Sequence, residues 1–252
     1  MLCYKVDARQ LKRNSLDSLS SKSYDYLNKA IVEQSSNRKI AKWYAASWIA
    51  KAKNEKDFNQ LTQAYKTILY LSEKIYWLQY ADSMVYTAHK TSDNVLIGGA
   101  YMTKASVYYD RGAIKKALDN FISADKYIVK TKDRNALFQV KFGIAQAKYY
   151  LGFYDEAIAL FKECLEFFKV ENDRAYLNTL HALGICYNKV GKYSLASATN
   201  QFGITEGLRI EDIEMQPYFM HSEAMNQYAL HKYKDAIKNL NSTLPYFIKK
   251  QD

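Results

Sequence analysis

The histidines His89, His181, His221 and His231 are the side chains best suited by type to ligate a metal or move a proton. None lies in an H-E-x-x-H pattern, and no Cys/His cluster has zinc spacing. His181 and His221 stand forty residues apart and recur at one place of the repeat described below, so they are expected to be neighbours. Two imidazoles without further ligands make a poor metal site, and no metal is expected. Cys3, Cys164 and Cys186 are too few and too scattered for a disulfide framework, and none belongs to a C-x-x-C pair. Cys164 and Cys186 occupy small-residue helical positions and read as buried thiols rather than reactive ones. There is no G-x-S-x-G, no Gly-rich phosphate loop and no G-x-G-x-x-G, and no carboxylate pair is singled out. The chain therefore offers no catalytic residue and no cofactor site, and reads as a non-enzyme.

The elements that would carry these residues are helices. Nine glycines and two prolines in 252 residues are too few to punctuate many strands. No run of apolar residues is long enough to span a bilayer. The net charge is +10, and residues 1–57 hold twelve Lys/Arg against six Asp/Glu. Such an excess either forms a solvated Lys-rich helical surface or attracts an anionic polymer. At the N-terminus, Val6-Asp7-Ala8 has the small residues of a signal-peptidase site without the apolar stretch before it. It is either an ordinary start or the remnant of a trimmed export signal, which leaves the location cytoplasmic or periplasmic.

Alanine marks a ruler along the chain. Ala41, Ala81, Ala117, Ala157, Ala196 and Ala236 are spaced 40, 36, 40, 39 and 40 residues apart, the period of a stacked array. Five residues before the last four alanines stand Gly112, Gly152, Gly191 and His231. Three before stand Ile114, Tyr154, Tyr193 and Tyr233; twelve before stand Ala105, Ala145, Gly184 and Ala224. A glycine after an apolar-periodic run can turn left-handed and stop a helix, and histidine tolerates that conformation better than most residues. Small residues on either side of the turn let two helix backbones approach. Connectors such as "KNEKD", "KTSDN" and "KTKDRN" supply Asp or Asn as N-caps, and Pro217 suits a first helical turn. Six antiparallel pairs are expected, with first helices near 20–34, 58–72, 95–111, 135–151, 175–190 and 217–230. Second helices are expected near 38–53, 76–90, 113–130, 154–169, 193–208 and 233–248. Gly203 and Gly207 predict either a flexible joint or an early end in the helix that carries them.

These marks resemble the tetratricopeptide repeat, most clearly in "LHALGICYNKVGKYSLA" (Leu180–Ala196), with Leu183, Gly184, Tyr187, Gly191, Tyr193 and Ala196 in place. Phe121, Phe161 and Ala124 extend the pattern into second helices. The unit is about forty residues rather than the usual thirty-four of that family, so its helices are longer. The resemblance implies an all-α, right-handed α-solenoid of about six stacked helix pairs. It divides the chain into an N-terminal extension (1–19), two irregular pairs (20–94) and four repeats (95–252). The texture of irregular first pairs and Tyr- and Lys-rich repeats is also similar to the sensory region of AraC- or LuxR-type transcriptional regulators and histidine kinases. The final helix presents Ile237, Leu240, Leu244 and Phe247 at helical spacing. Either Pro245 bends it back to cover them or the natural protein continues.

In that family the first helix of each pair lines a concave groove. Carried onto this sequence, the lining is Met102, Ser106 and Tyr109; Gln139, Phe142, Gln146 and Tyr149; Asn178, His181, Ile185 and Asn188; and Tyr218, His221, Met225 and Tyr228. Aromatics interleaved with amides and imidazoles suit a protein or peptide partner, although each aromatic could equally pack between repeats. The Lys/Asn clamp that some members use on a C-terminal carboxylate is not reproduced. The expected function is a non-catalytic peptide-binding array in a regulator, with a homodimer admitted. A stand-alone scaffold is the first alternative. The second is nucleic-acid binding through Arg38, Lys39, Lys42, Lys51 and Lys53, contact with nucleic acid not being expected on the first reading.

Overall fold

The computed structural model describes residues 19, 21–171 and 173–250; the expectations placed on Cys3, on Val6–Ala8 and on an N-terminal extension over 1–18 lie outside them. Among the described residues are twelve α-helices and no strand. The first unit, up to Lys132, holds α1 (Tyr24–Glu33), α2 (Arg38–Glu55), α3 (Phe58–Leu71), α4 (Trp77–Ala88), α5 (Asn94–Asp110) and α6 (Ile114–Ile128). The second, from Asp133, holds α7 (Arg134–Tyr150), α8 (Tyr154–Glu171), α9 (Asp173–Lys189), α10 (Tyr193–Arg209), α11 (Gln216–Ala229) and α12 (Tyr233–Lys249). Short 3₁₀ turns, Lys74–Tyr76 and Ile213–Met215, lead into α4 and α11.

The starts are set by side chains that accept from otherwise unpaired backbone N–H groups. Asp57 accepts from Gln60 N at 3.0 Å, Asp93 from Val95 N at 2.8 Å, and Asp133 from Ala136 N at 2.9 Å. Ser23 accepts from Tyr26 N at 3.1 Å and starts α1 at Tyr24, later than the expected 20. Pro217 lies in the first turn of α11.

Six of the stops share one device. Lys56, Gly112, Gly152, Gly191, Glu211 and His231 all have positive φ. After each, the next N–H reaches back over the turn: Asp57 to Ala52, Ala113 to Tyr108, Phe153 to Lys148, Lys192 to Tyr187, Asp212 to Gly207 and Lys232 to Gln227. This is the Schellman closure, which satisfies a carbonyl that the helix end would leave bare. His231, at φ 60°, does the work of the glycines before it.

Within each unit the helices pack on their neighbours along the chain, and first helices also meet one another: α3 with α5, α7 with α9, and α9 with α11. The register alanines lie at these crossings; Ala41, Ala81, Ala117, Ala157 and Ala196 are fully buried and Ala236 nearly so. Apolar clusters fill the spaces between pairs. Leu27, Trp48, Leu61 and Ile68 join α1 to α3, and Leu69, Met84, Ile97 and Val107 join α3 to α5. In the second unit Ile158, Phe161, Leu183 and Tyr187 form one cluster, and Phe168, Leu177, Leu180 and Phe219 the next. The expected all-α repeat fold is the observed one within each unit.

Two expectations are corrected. Helix α10 runs unbroken through Gly203 and Gly207 to Arg209, so these glycines neither hinge nor end it. A Cβ on Gly203 would strike the ring of Phe219, and one on Gly207 would come within 3.0 Å of the Asp212 carbonyl. They are places of close approach. Pro245 does not fold the last helix back; α12 continues to Lys249 with Ile237 and Leu244 more than half exposed.

Gly203→Ala should therefore lower stability by about 1–3 kcal/mol through overpacking, read as an earlier urea midpoint with the slope unchanged. Lys56→Gly should raise it by about 0.5–1 kcal/mol by relieving a left-handed non-glycine residue, seen as a higher melting temperature.

Candidate functional site

The expected lining residues divide between the units. Met102, Ser106 and Tyr109 lie on α5 in the first. Ser106 and Tyr109 open there onto a cavity of about 450 Å³ that Leu69, Tyr70, Trp77 and Asp110 also line. The remaining lining residues lie on α7, α9 and α11 of the second unit, three first helices in contact.

Many of these second-unit side chains are spent on packing. Phe142 meets Phe161 edge-on at 5.4 Å between ring centres. Tyr149 packs against the cluster of Ala145, Phe161 and Leu183, and burial pushes its hydroxyl up to about 12. Asn188 Nδ2 donates to Asn226 Oδ1 at 3.2 Å, and Asn226 Nδ2 in turn donates to the Tyr193 carbonyl at 2.8 Å. His181 Nε2 lies 2.9 Å from Ser222 Oγ. Tyr218 packs edge-on to Tyr246 and Phe247, and its hydroxyl accepts from Lys250 Nζ at 2.6 Å. Gln146 and Ile185 are half-buried. These contacts tie α7, α9 and α11 into one sheet of helices and hold the site's floor.

What stays open is a narrower set: Gln139, Asn178, His221, Met225 and Tyr228 are exposed. Gln139 and Asn178 face a cavity of about 320 Å³ between α7 and α9, floored by Phe142 and Phe168 and edged by Arg174. Gln139 donates through Nε2 to Asn135 Oδ1 at 2.8 Å. Met225 and Tyr228 carry the face along α11, and His221 lies edge-on to Phe247. An apolar floor between two amides can take a side chain while the amides bond to main-chain groups.

His181 and His221 are electrostatic neighbours, but His181 is half-buried and hydrogen-bonded while His221 is exposed. No group of three or more His, Cys, Asp or Glu among the described residues could hold a metal ion. Cys164 and Cys186 are buried free thiols, each pushed up to about 12 by burial, which leaves them unreactive. Of the basic side chains in α2, Arg38 donates to the Tyr70 carbonyl, Lys51 pairs with Glu55 at 2.7 Å, and Lys53 sits over the Tyr65 ring.

Arg174 was not singled out by the sequence. It opens α9 and binds Asp212 at 2.5 Å and Glu214 at 2.6 Å in the connector before α11, bracing the cavity edge. The signal was available as opposite charges one repeat apart, but only the structure shows the connector turning back. Asn200 was also missed. Its Nδ2 donates to Glu223 Oε2 at 3.3 Å, its Oδ1 is buried without a partner, and that oxygen lies 2.5 Å from where a Cβ on Gly184 would stand.

The fold is that of an all-α helical-repeat protein. A tetratricopeptide repeat family model matches residues 137–201, within the second unit. No curated protein matches the chain by sequence. BtubC (BKLC) from P. vanneervenii is similar in structure, with 14% identity, 89% of this chain and 92% of that one covered, and a TM-score of 0.66. A Rap protein solved with Competence and Sporulation Factor has 17% identity, coverage of 96% and 81%, and a TM-score of 0.65. A Signal Transduction ATPase with Numerous Domains from Pyrococcus horikoshii, described as having a tetratricopeptide repeat sensor, has 15% identity and a TM-score of 0.71; 96% of this chain covers 41% of that one. At these identities the likeness is one of fold. No helix among the described residues is long and apolar enough to cross a membrane.

Burial holds His181 down to about 4, against an ordinary 6.5, with His221 adding a smaller push in the same direction. Protons below the ordinary value therefore bind the unfolded chain first, and the stability His181 contributes is lost as the pH falls from 6.5 toward 4. Thermal and urea melts should show this as a loss of roughly 2 kcal/mol between about pH 7 and about pH 5, a component that His181→Asn removes.

Proposed function

We propose that the face of α7, α9 and α11 binds a protein or peptide segment, and that the chain is a non-catalytic interaction or sensor segment of a signalling or transcriptional regulator. The observation that carries this is the open set Gln139, Asn178, His221, Met225 and Tyr228, laid over a packed floor with a cavity at one end. A floor held by its own hydrogen bonds and ring contacts is already ordered before a ligand arrives, which lowers the entropy cost of binding. Tyr228, about 63% exposed, offers a large apolar surface with few torsions to freeze. Support for the regulatory setting comes from the similar fold of the Rap protein solved with its factor and of the ATPase described with a sensor.

The test is selection of short peptides from a displayed library, followed by titration of a selected peptide. Asn178→Ala and Tyr228→Ala should each weaken binding about tenfold, while Lys115→Ala on α6 leaves it unchanged. Selected peptides indifferent to both substitutions would overturn the reading.

A further inference from the structure

The repeat supplies a comparison for the last helix of the second unit. Counting one, four and eight residues past the register alanine gives Ile158, Phe161 and Leu165 on α8, and Ser197, Asn200 and Ile204 on α10. On α12 the same count gives Ile237, Leu240 and Leu244. On α8, Ile158 and Phe161 are 8% and 1% exposed, packed with Leu183 and Tyr187 of α9. On α10, Asn200 is buried and bonded to Glu223 of α11, with Ser197 donating to the same carboxylate at 2.7 Å. In both cases the cover is the next first helix. On α12 the three positions are apolar and open: Ile237 is 58% exposed, Leu240 38% and Leu244 54%. Ile248 extends the stripe by one turn and is also exposed.

The charge beside this stripe has one sign. Lys234 and Lys238 are exposed and fall along one side of it by helical spacing, while Lys249 and Asp235, the sole carboxylate of α12, lie on the far side. Lys250 is held by the hydroxyls of Tyr218 and Tyr246. Two copies meeting through α12 would set these lysines against one another, which disfavours self-pairing.

We propose that the Ile237–Leu240–Leu244 face of α12 docks a partner's amphipathic α-helix whose apolar stripe is flanked by Asp or Glu. The interface continues the packing by which α9 covers α8 and α11 covers α10, and the acidic flank answers the lysines. It is distinct from the face of α7, α9 and α11, so its failure leaves that reading untouched.

The probe is a synthetic, stapled helical peptide with leucines at positions i, i+3 and i+7 and glutamates beside them, titrated by fluorescence anisotropy against the full chain. Its counterpart carries lysine for glutamate. The acidic peptide should bind and its basic counterpart should bind at least tenfold more weakly; Ile237→Glu and Leu244→Glu should each cost at least tenfold in affinity. Both substitutions fall on exposed positions, so circular dichroism melts should match the unsubstituted chain. No binding of the acidic peptide, or equal binding of both peptides, would overturn the proposal. So would a dimer dispersed by Leu244→Glu, which assigns the face to a second copy. Binding to phosphatidylglycerol vesicles that Leu244→Glu abolishes would overturn it as well, by assigning the face to a lipid surface.

Discussion

The backbones of two helices can approach closely only where nothing larger than a methyl group stands between them. That constraint recurs at Ala41, Ala81, Ala117, Ala157, Ala196 and Ala236, which are buried at the helix crossings. Gly98, where a Cβ would strike the Ile128 side chain, and Gly203 against Phe219 are its limiting cases. Once a pair is drawn together, its larger side chains point outward into the space before the next pair, which is where the apolar clusters lie. A single hairpin has no core of its own. Each cluster takes side chains from at least two pairs, so stability is shared between neighbours.

The parts of the fold legible in the sequence were those with a local cause. Gly112, Gly152 and Gly191 end helices because glycine turns left-handed without strain, and Asp57, Asp93 and Asp133 begin them because a short carboxylate reaches back to the next turn. Lys56 and Glu211 adopt the same left-handed turn and gave no sign of it. Their conformation is imposed by the helices on either side. Gly203 and Gly207 misled because the cost of glycine in a helix is a local matter, whereas the benefit lies across the interface, at Phe219 and the Asp212 carbonyl.

The site was legible to a lesser degree for the same reason. Repeat position groups the first helices together, and α7, α9 and α11 are in contact. It could not separate side chains that hold the face from those that stand above it. Phe142 and Tyr149 packed, Asn188 and His181 found partners, and Asn178 and Tyr228 stayed open. Such sorting depends on the residue opposite, as with Ser222 for His181. Arg174 shows the converse, since its partners sit in a connector whose path no periodicity describes.

The pairing of Gly184 with Asn200 bears on how this chain can drift over generations. The Asn200 carbonyl oxygen occupies the space a side chain at Gly184 would need, and it has no donor there. Enlarging Gly184 alone would force that oxygen aside, and trimming Asn200 alone would strip an amide from Glu223 while opening a void. The two sites are therefore mutually permissive: substitution at one becomes tolerable only on the background of a matched substitution at the other, and descendants of this sequence should carry the two changes together.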